Sequence, residues 1–262
     1  MMSNILGQII IYYTYINIMI FNLFKSKPTL KELIPKGFID IHSHILPGID
    51  DGAKDIEESL ELISEMKKLG FSKIIGTPHI YKGLYENDKA SISKSFKTLI
   101  KKSENYIDIS YAAEYMLDSS IIEIAKNKSL LTLKDNYVLV EISMISEINN
   151  LKEIIFEIQT NGYIPVIAHP ERYLYYSRNF NKIENFKRLG CKLQLNLLAL
   201  TGFYGVEVLN FSEKILSCGL YNFCGSDVHK MRHLKQFEKK IKLNRNCLKI
   251  IEECLNKNGI FK

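Results

Sequence analysis

Five of the six histidines in this 262-residue chain stand in four short polar motifs. His42 and His44 lie in Asp-Ile-His-Ser-His, His79 ends Gly-Thr-Pro-His, His169 opens His-Pro-Glu-Arg, and His229 ends Gly-Ser-Asp-Val-His. Carboxylates accompany them: Asp50 and Asp51 follow the first motif, Glu114 follows Tyr-Ala-Ala, Glu141 ends Tyr-Val-Leu-Val, and Asp227 sits two residues before His229. A lone histidine is ordinarily a hydrogen-bonded structural residue. Five imidazoles gathered among acids would leave several buried polar groups unpaired, at roughly 1–3 kcal/mol each. A divalent cation removes that penalty, and a mixed nitrogen and oxygen set suits manganese, zinc or iron(II). No cysteine stands in these motifs, which argues against a closed structural zinc site.

The elements that must position these groups follow from the apolar pattern. After Pro35, short apolar runs alternate with helical periods, the signature of parallel βα units. Strands are expected over residues 38–45, 73–76, 107–113, 137–142, 164–168, 192–196 and 221–225. Helices are expected over 55–69, 89–104, 147–161, 181–189, 206–218 and 235–257. Asp55 and Glu58 make a start resembling a capping box, and Gly70 ends that helix. Seven or so βα units come close to closing a barrel, and the histidines fall at the C-terminal strand ends, where such folds build sites. Strand alternation would put Asp40, His42 and His44 on one face, with Asp40 orienting an imidazole N–H.

Composition sets the class. With 46% hydrophobic residues the chain can bury a large core. The net charge of +6 is dispersed, which excludes the basic footprint of a nucleic-acid-binding protein. The five cysteines are odd in number and lack any C-x-x-C pair, so a reducing, cytoplasmic setting is expected. Residues 5–24 are apolar enough to raise the question of a membrane span, but Gln8, Asn17 and Asn22 interrupt the run and nothing basic precedes it. We read residues 1–35 as an N-terminal extension, with Met19 as an alternative start and membrane association through this segment as a further option. Residues 36–262 are expected to form a single domain.

Taken in order, these motifs, together with Pro-Gly-Ile-Asp-Asp-Gly after the first and Tyr173 after Arg172, resemble the bacterial protein-tyrosine phosphatases of the polymerase-and-histidinol-phosphatase superfamily. The resemblance covers about residues 36 to 250. It implies an α/β fold, a distorted (β/α)7 barrel related to the TIM barrel, with a trinuclear metal centre and an association with capsule or exopolysaccharide tyrosine kinases. By motif, one metal would take His42, His44 and Asp227, with Glu114 bridging to a second held by Glu141 and His169. The third would take Asp51, His79 and His229, Asp51 being preferred to Asp50. Manganese is the expected ion, with iron or zinc as alternatives.

The implied reaction is phosphotyrosine hydrolysis by metal-bound hydroxide, on a phosphotyrosyl protein such as a membrane-associated bacterial kinase. A phenolate leaving group, with a parent pKa of about 10, needs little protonation help. Arg172 is the expected phosphate-binding guanidinium, against the alternative of a surface ion pair with Glu171. Arg232 is a second catalytic candidate, with His233 competing for its role. Phe203 and Tyr204 would rim the entrance for the substrate. A cysteine-based phosphatase is excluded, since no cysteine has Arg six positions later. Histidinol-phosphate phosphatase is the alternative within the superfamily. A metal-free kinase-binding scaffold would have lost ligands that this sequence keeps.

Overall fold

The computed structural model describes residues 27–103 and 107–262. The 5–24 segment and the alternative start at Met19 therefore lie outside the described residues. Among the described residues, no helix is long and apolar enough to cross a membrane.

The strand segments are β1 (Phe38–Ser43), β2 (Phe71–Gly76), β3 (His79–Ile80), β4 (Asp108–Tyr111), β5 (Glu114–Met116), β6 (Tyr137–Glu141), β7 (Ile164–Ala168), β8 (Lys192–Asn196) and β9 (Phe223–Gly225). They pair in parallel in the orders β1-β2-β4 and β3-β5-β6-β7-β8-β9. β2 and β3 are halves of one strand broken at Thr77-Pro78, and β4 and β5 are halves of another broken at Ala112-Ala113. Backbone bonds from Ala112 N–H to Gly76 O and from Glu114 N–H to Pro78 O carry the ladder past both breaks. The ring closes where His44 N–H donates to Val228 O at 2.9 Å and Asp227 N–H donates to His42 O at 2.8 Å. The result is a distorted (β/α)7 barrel.

The surrounding helices are α1 (Leu30–Leu33), α2 (Ile56–Lys68), α3 (Lys89–Ile100), α4 (Ser120–Lys126), α5 (Leu151–Thr160), α6 (Asn181–Arg188), α7 (Val206–Ser217), α8 (Met231–Leu234) and α9 (Leu248–Lys257). At the start of α2, Asp55 accepts the Glu58 N–H, but the Glu58 carboxylate accepts from Lys54 N–H, so the reciprocal box is not made. α4 lies outside the helices expected from the apolar pattern; it is short and buries only Ile121 and Ala125. The continuous helix expected over 235–257 is broken. Thr29 bridges Lys240, Ile241 N–H donates to Pro28 O, and Lys242 N–H donates to Leu200 O, so tertiary pairing takes the backbone bonds a helix would need. Leu30, Leu33 and Ile34 pack into the same buried core as the strands and helices that follow.

Inside the barrel the layers are chemically distinct. Ile39, Ile41, Ile75, Leu139, Val166, Ala168 and Phe223 form an apolar floor, closed from below by Phe261. Asn258 secures this C-terminal plug by donating to Ile39 O and Cys224 O and accepting from Cys224 N–H. The polar cluster lies above the floor, at the C-terminal strand ends. Because Phe261 is fully buried against Phe223 and Tyr137, Phe261→Ala is expected to destabilise the protein by about 3–5 kcal/mol, read as a lowered urea midpoint.

Candidate metal centre

Strict alternation along β1 does not hold. Ile39 and Ile41 join the apolar floor, yet His42 also reaches the polar cluster; the register irregularity between Asp40 and Ser43 allows both. Asp40 does not orient an imidazole. Its carboxylate accepts the Ser226 N–H at 2.8 Å and the Ser226 hydroxyl, tying β1 to the turn after β9. Gly225 is required at this seam, since a Cβ there would lie 2.6 Å from His42 Cβ and 2.7 Å from Gln194 Nε2.

The structure brings His42, His44, Asp51, His79, Glu114, Glu141, His169, Asp227 and His229 together. His42 Nε2 and His44 Nε2 are 3.3 Å apart. Glu114 Oε2 lies 3.1 Å and 3.4 Å from them, and Asp227 Oδ1 lies 3.3 Å and 3.4 Å from them. His79 Nδ1 is 3.2 Å from Glu114 Oε2 and 3.0 Å from Glu141 Oε1, while His169 Nε2 is 3.1 Å from Glu114 Oε1. Asp51 Oδ1 stands 3.6 Å from His79 Nε2 and 3.4 Å from His229 Nε2. By proximity alone, His44 also falls with Asp51, His79 and His229, and His169 with His42 and Asp227, so the groups overlap more than the motif-based division into three sets.

These residues fit divalent cations for a specific reason. His42 Nδ1 is held 2.9 Å from Gln194 Oε1 and His44 Nδ1 is held 2.7 Å from Asp50 Oδ2, acceptors that place the ring hydrogen on Nδ1. Both Nε2 atoms then point into the cluster and face each other. His229 follows suit, with Nδ1 donating to Asp227 O at 2.9 Å. Glu114 Oε2, His79 Nδ1 and His169 Nδ1 are buried without a hydrogen bond among the described residues. Ligands about 2.0–2.2 Å from a small cation sit roughly 3–3.6 Å from one another, which is the spacing here.

Electrostatics agree. Burial opposes charge on His42, yet Glu114 and Asp227 outweigh it and raise the imidazole to about 9. Burial likewise opposes charge on Glu114, but His42 and His79 hold its carboxyl well below the usual range. His169 and Asp227 adopt left-handed backbone, with φ of 34° and 52°. Such conformations cost non-glycine residues on the order of 1–3 kcal/mol and cluster at functional sites.

Arg172 does not pair with Glu171. Its Nη1 donates to Asp227 Oδ2 at 3.2 Å and its guanidinium lies 4.7 Å from the Tyr204 ring centroid, leaving the side chain 28% exposed. Glu171 is fully buried, accepting from Asn196 N–H and the Tyr221 hydroxyl; burial raises it to about 7. Arg232 is exposed, with Nε 3.5 Å from His233 Nε2. Buried His233 accepts the His229 N–H through Nδ1 at 3.1 Å. Sequence reasoning missed Gln194 and Asn196, whose amide donates to Asp227 Oδ2 at 2.8 Å. Their signal was available: both alternate with apolar residues on β8, opposite Leu193 and Leu195.

The family model for capsular polysaccharide synthesis proteins CpsB/CapC matches residues 38–258. This chain belongs to the CpsB/CapC family. It is 31% identical over 198 residues to the tyrosine-protein phosphatase YwqE of Bacillus subtilis, covering 74% of this chain and 78% of YwqE. It is 32% identical over 203 residues to the tyrosine-protein phosphatase CpsB of Streptococcus pneumoniae, covering 74% and 83%. Among solved structures, one from work on YwqE and CpsB, described as metal-dependent tyrosine phosphatases, matches with a TM-score of 0.71 and 28% identity, over 82% of this chain and 86% of that one. Histidinol phosphate phosphatase of Lactococcus lactis matches with a TM-score of 0.51 at 13% identity, over 86% and 95%, a likeness of fold.

Two outcomes follow for this CpsB/CapC member. Gln194→Leu leaves the His42 Nδ1–H without its acceptor, and should weaken metal affinity by roughly 10–100-fold in a competition titration against a chelator. A cation must displace the proton that His42 retains up to about pH 9. Apparent affinity should therefore rise from pH 6 to 9, with proton release visible when calorimetry is repeated in buffers of different ionisation enthalpy.

Proposed function

We propose that this chain is a metal-dependent protein-tyrosine phosphatase acting in the cytoplasm. Its substrate is a phosphotyrosyl protein, and the best-fitting partner is a membrane-associated bacterial tyrosine kinase of capsule or exopolysaccharide synthesis. Three divalent cations, manganese first, fit the nine candidate ligands. The observation that carries this reading is the convergence of His42, His44, Glu114 and Asp227 on one point, with the Arg172 guanidinium fixed at its edge by Asp227.

Bound divalent cations supply Lewis acidity, drawing the pKa of water from 15.7 towards about 7 and neutralising phosphoryl oxygens. His42, His44 and His229 present Nε2 because Gln194, Asp50 and the Asp227 carbonyl hold their Nδ1 hydrogens. Asp227 joins the cluster through Oδ1, while its Oδ2 takes Arg172 and Asn196. That contact and the Tyr204 face hold the guanidinium in place before substrate arrives, so little ordering is needed when it meets the phosphoryl oxygens. Arg232 is the second guanidinium of the proposal, linked through His233 to the His229 backbone.

The test is phosphate release from a phosphotyrosyl peptide after loading with defined metals. His42→Ala should lose bound metal and activity together, measured by elemental analysis and turnover. Arg172→Ala should keep its metal while kcat/KM falls roughly 10²–10³-fold. Equal turnover in both variants and the parent would refute the assignment. A strong preference for histidinol phosphate over the peptide would move it to the small-molecule monoesterases.

A further inference from the structure

Two chain segments diverge from the Arg172–Tyr204 contact, and a groove of 700 Å³ opens between them. One wall is the turn following Arg172, with Leu174, Tyr175 and Arg178; the other is α7, which begins two residues after Tyr204 and supplies Asn210, Phe211 and Lys214. α7 packs directly on the Pro170–Arg172 turn, so the groove lies beside the segment that carries Arg172. Phe211 is buried and Leu174 and Tyr175 are half-buried, giving an apolar base. Above it stand two exposed cations. Lys214 Nζ is held 4.4 Å from the Phe180 ring centroid, and Arg178 has no ion pair among the described residues. Glu207 is the one acid on the lining. The Tyr175 hydroxyl donates to Ser143 O, linking this wall to the loop that carries Ile145, which is 91% exposed.

We propose that this groove is the subsite for the polypeptide next to the phosphotyrosine, and that Arg178 and Lys214 select acidic side chains there. The inference rests on the phosphatase reading and deepens it. An apolar base under two cations complements a chain segment carrying both carboxylates and aliphatic or aromatic groups. A small monoester bound at the cluster would not reach it. Because the cations are solvent-exposed, their contribution is to specificity and capture of the peptide, with little bearing on the chemical step.

The experiment compares kcat/KM for three substrates: a small aryl phosphate, a phosphotyrosyl peptide with glutamates on both sides, and the same peptide with lysines. The metal-loaded parent should favour the acidic peptide, and Arg178→Glu with Lys214→Glu should reduce that preference roughly tenfold. Aryl phosphate turnover should be unchanged, which also reports that the variant is folded. Should the double variant lose aryl phosphate turnover, the single Arg178→Glu variant decides by the same ratio. An unaltered preference for the acidic peptide, or no preference in the parent, overturns the groove while leaving the phosphatase reading intact. No hydrolysis of any aryl phosphate by the parent overturns both.

Discussion

Two imidazole Nε2 atoms 3.3 Å apart, with two carboxylate oxygens beside them, are the constraint around which this barrel is organised. In an apolar surround such groups repel or pay the full cost of desolvation, and they are tolerable only around positive charge. Much else at the top of the barrel serves to enforce that arrangement. Gln194 and Asp50 fix the tautomers, Gly225 makes room for His42, and left-handed backbone at His169 and Asp227 turns both chains inward. Strain and polar crowding are confined to one end. The opposite end holds an apolar floor and the Phe261 plug, which anchor the strands against them.

Asp227 couples the cluster to what lies outside it. One oxygen faces His42 and His44, while the other receives Arg172 and Asn196. The guanidinium that would meet phosphate is therefore positioned by the same carboxylate that completes the cluster. Arg172 rests in turn on Tyr204, whose hydroxyl accepts from Asn196. A change at any of these side chains is felt by the others, because they share a few buried oxygen atoms.

Strand breaks are part of this design. Interrupting one strand at Thr77-Pro78 and the next at Ala112-Ala113 brings His79 and Glu114 into register with each other. Both then enter the cluster, where His79 Nδ1 and Glu114 Oε2 lie 3.2 Å apart. Without the breaks, each side would present only the period-two alternation of a regular strand.

The linear order of residues determined a great deal. Alternating apolar runs and helical stripes pointed to seven or so βα units, and the motifs put histidines and acids at strand ends, from which resemblance to a known family singled out nine. Both are local properties, legible because side-chain type and period are written in the chain itself. Other features depended on partners distant in sequence. The loss of a continuous helix over 235–257 follows from pairing with residues 28–29 and with Leu200. Arg172 turned to Asp227, 55 residues away, because its neighbour Glu171 is buried against Asn196 and Tyr221. Gln194 gained its part only by meeting His42, 152 residues earlier. No pattern within a window can report such pairings, since hydrogen bonds and ion pairs are chosen by proximity in the folded barrel.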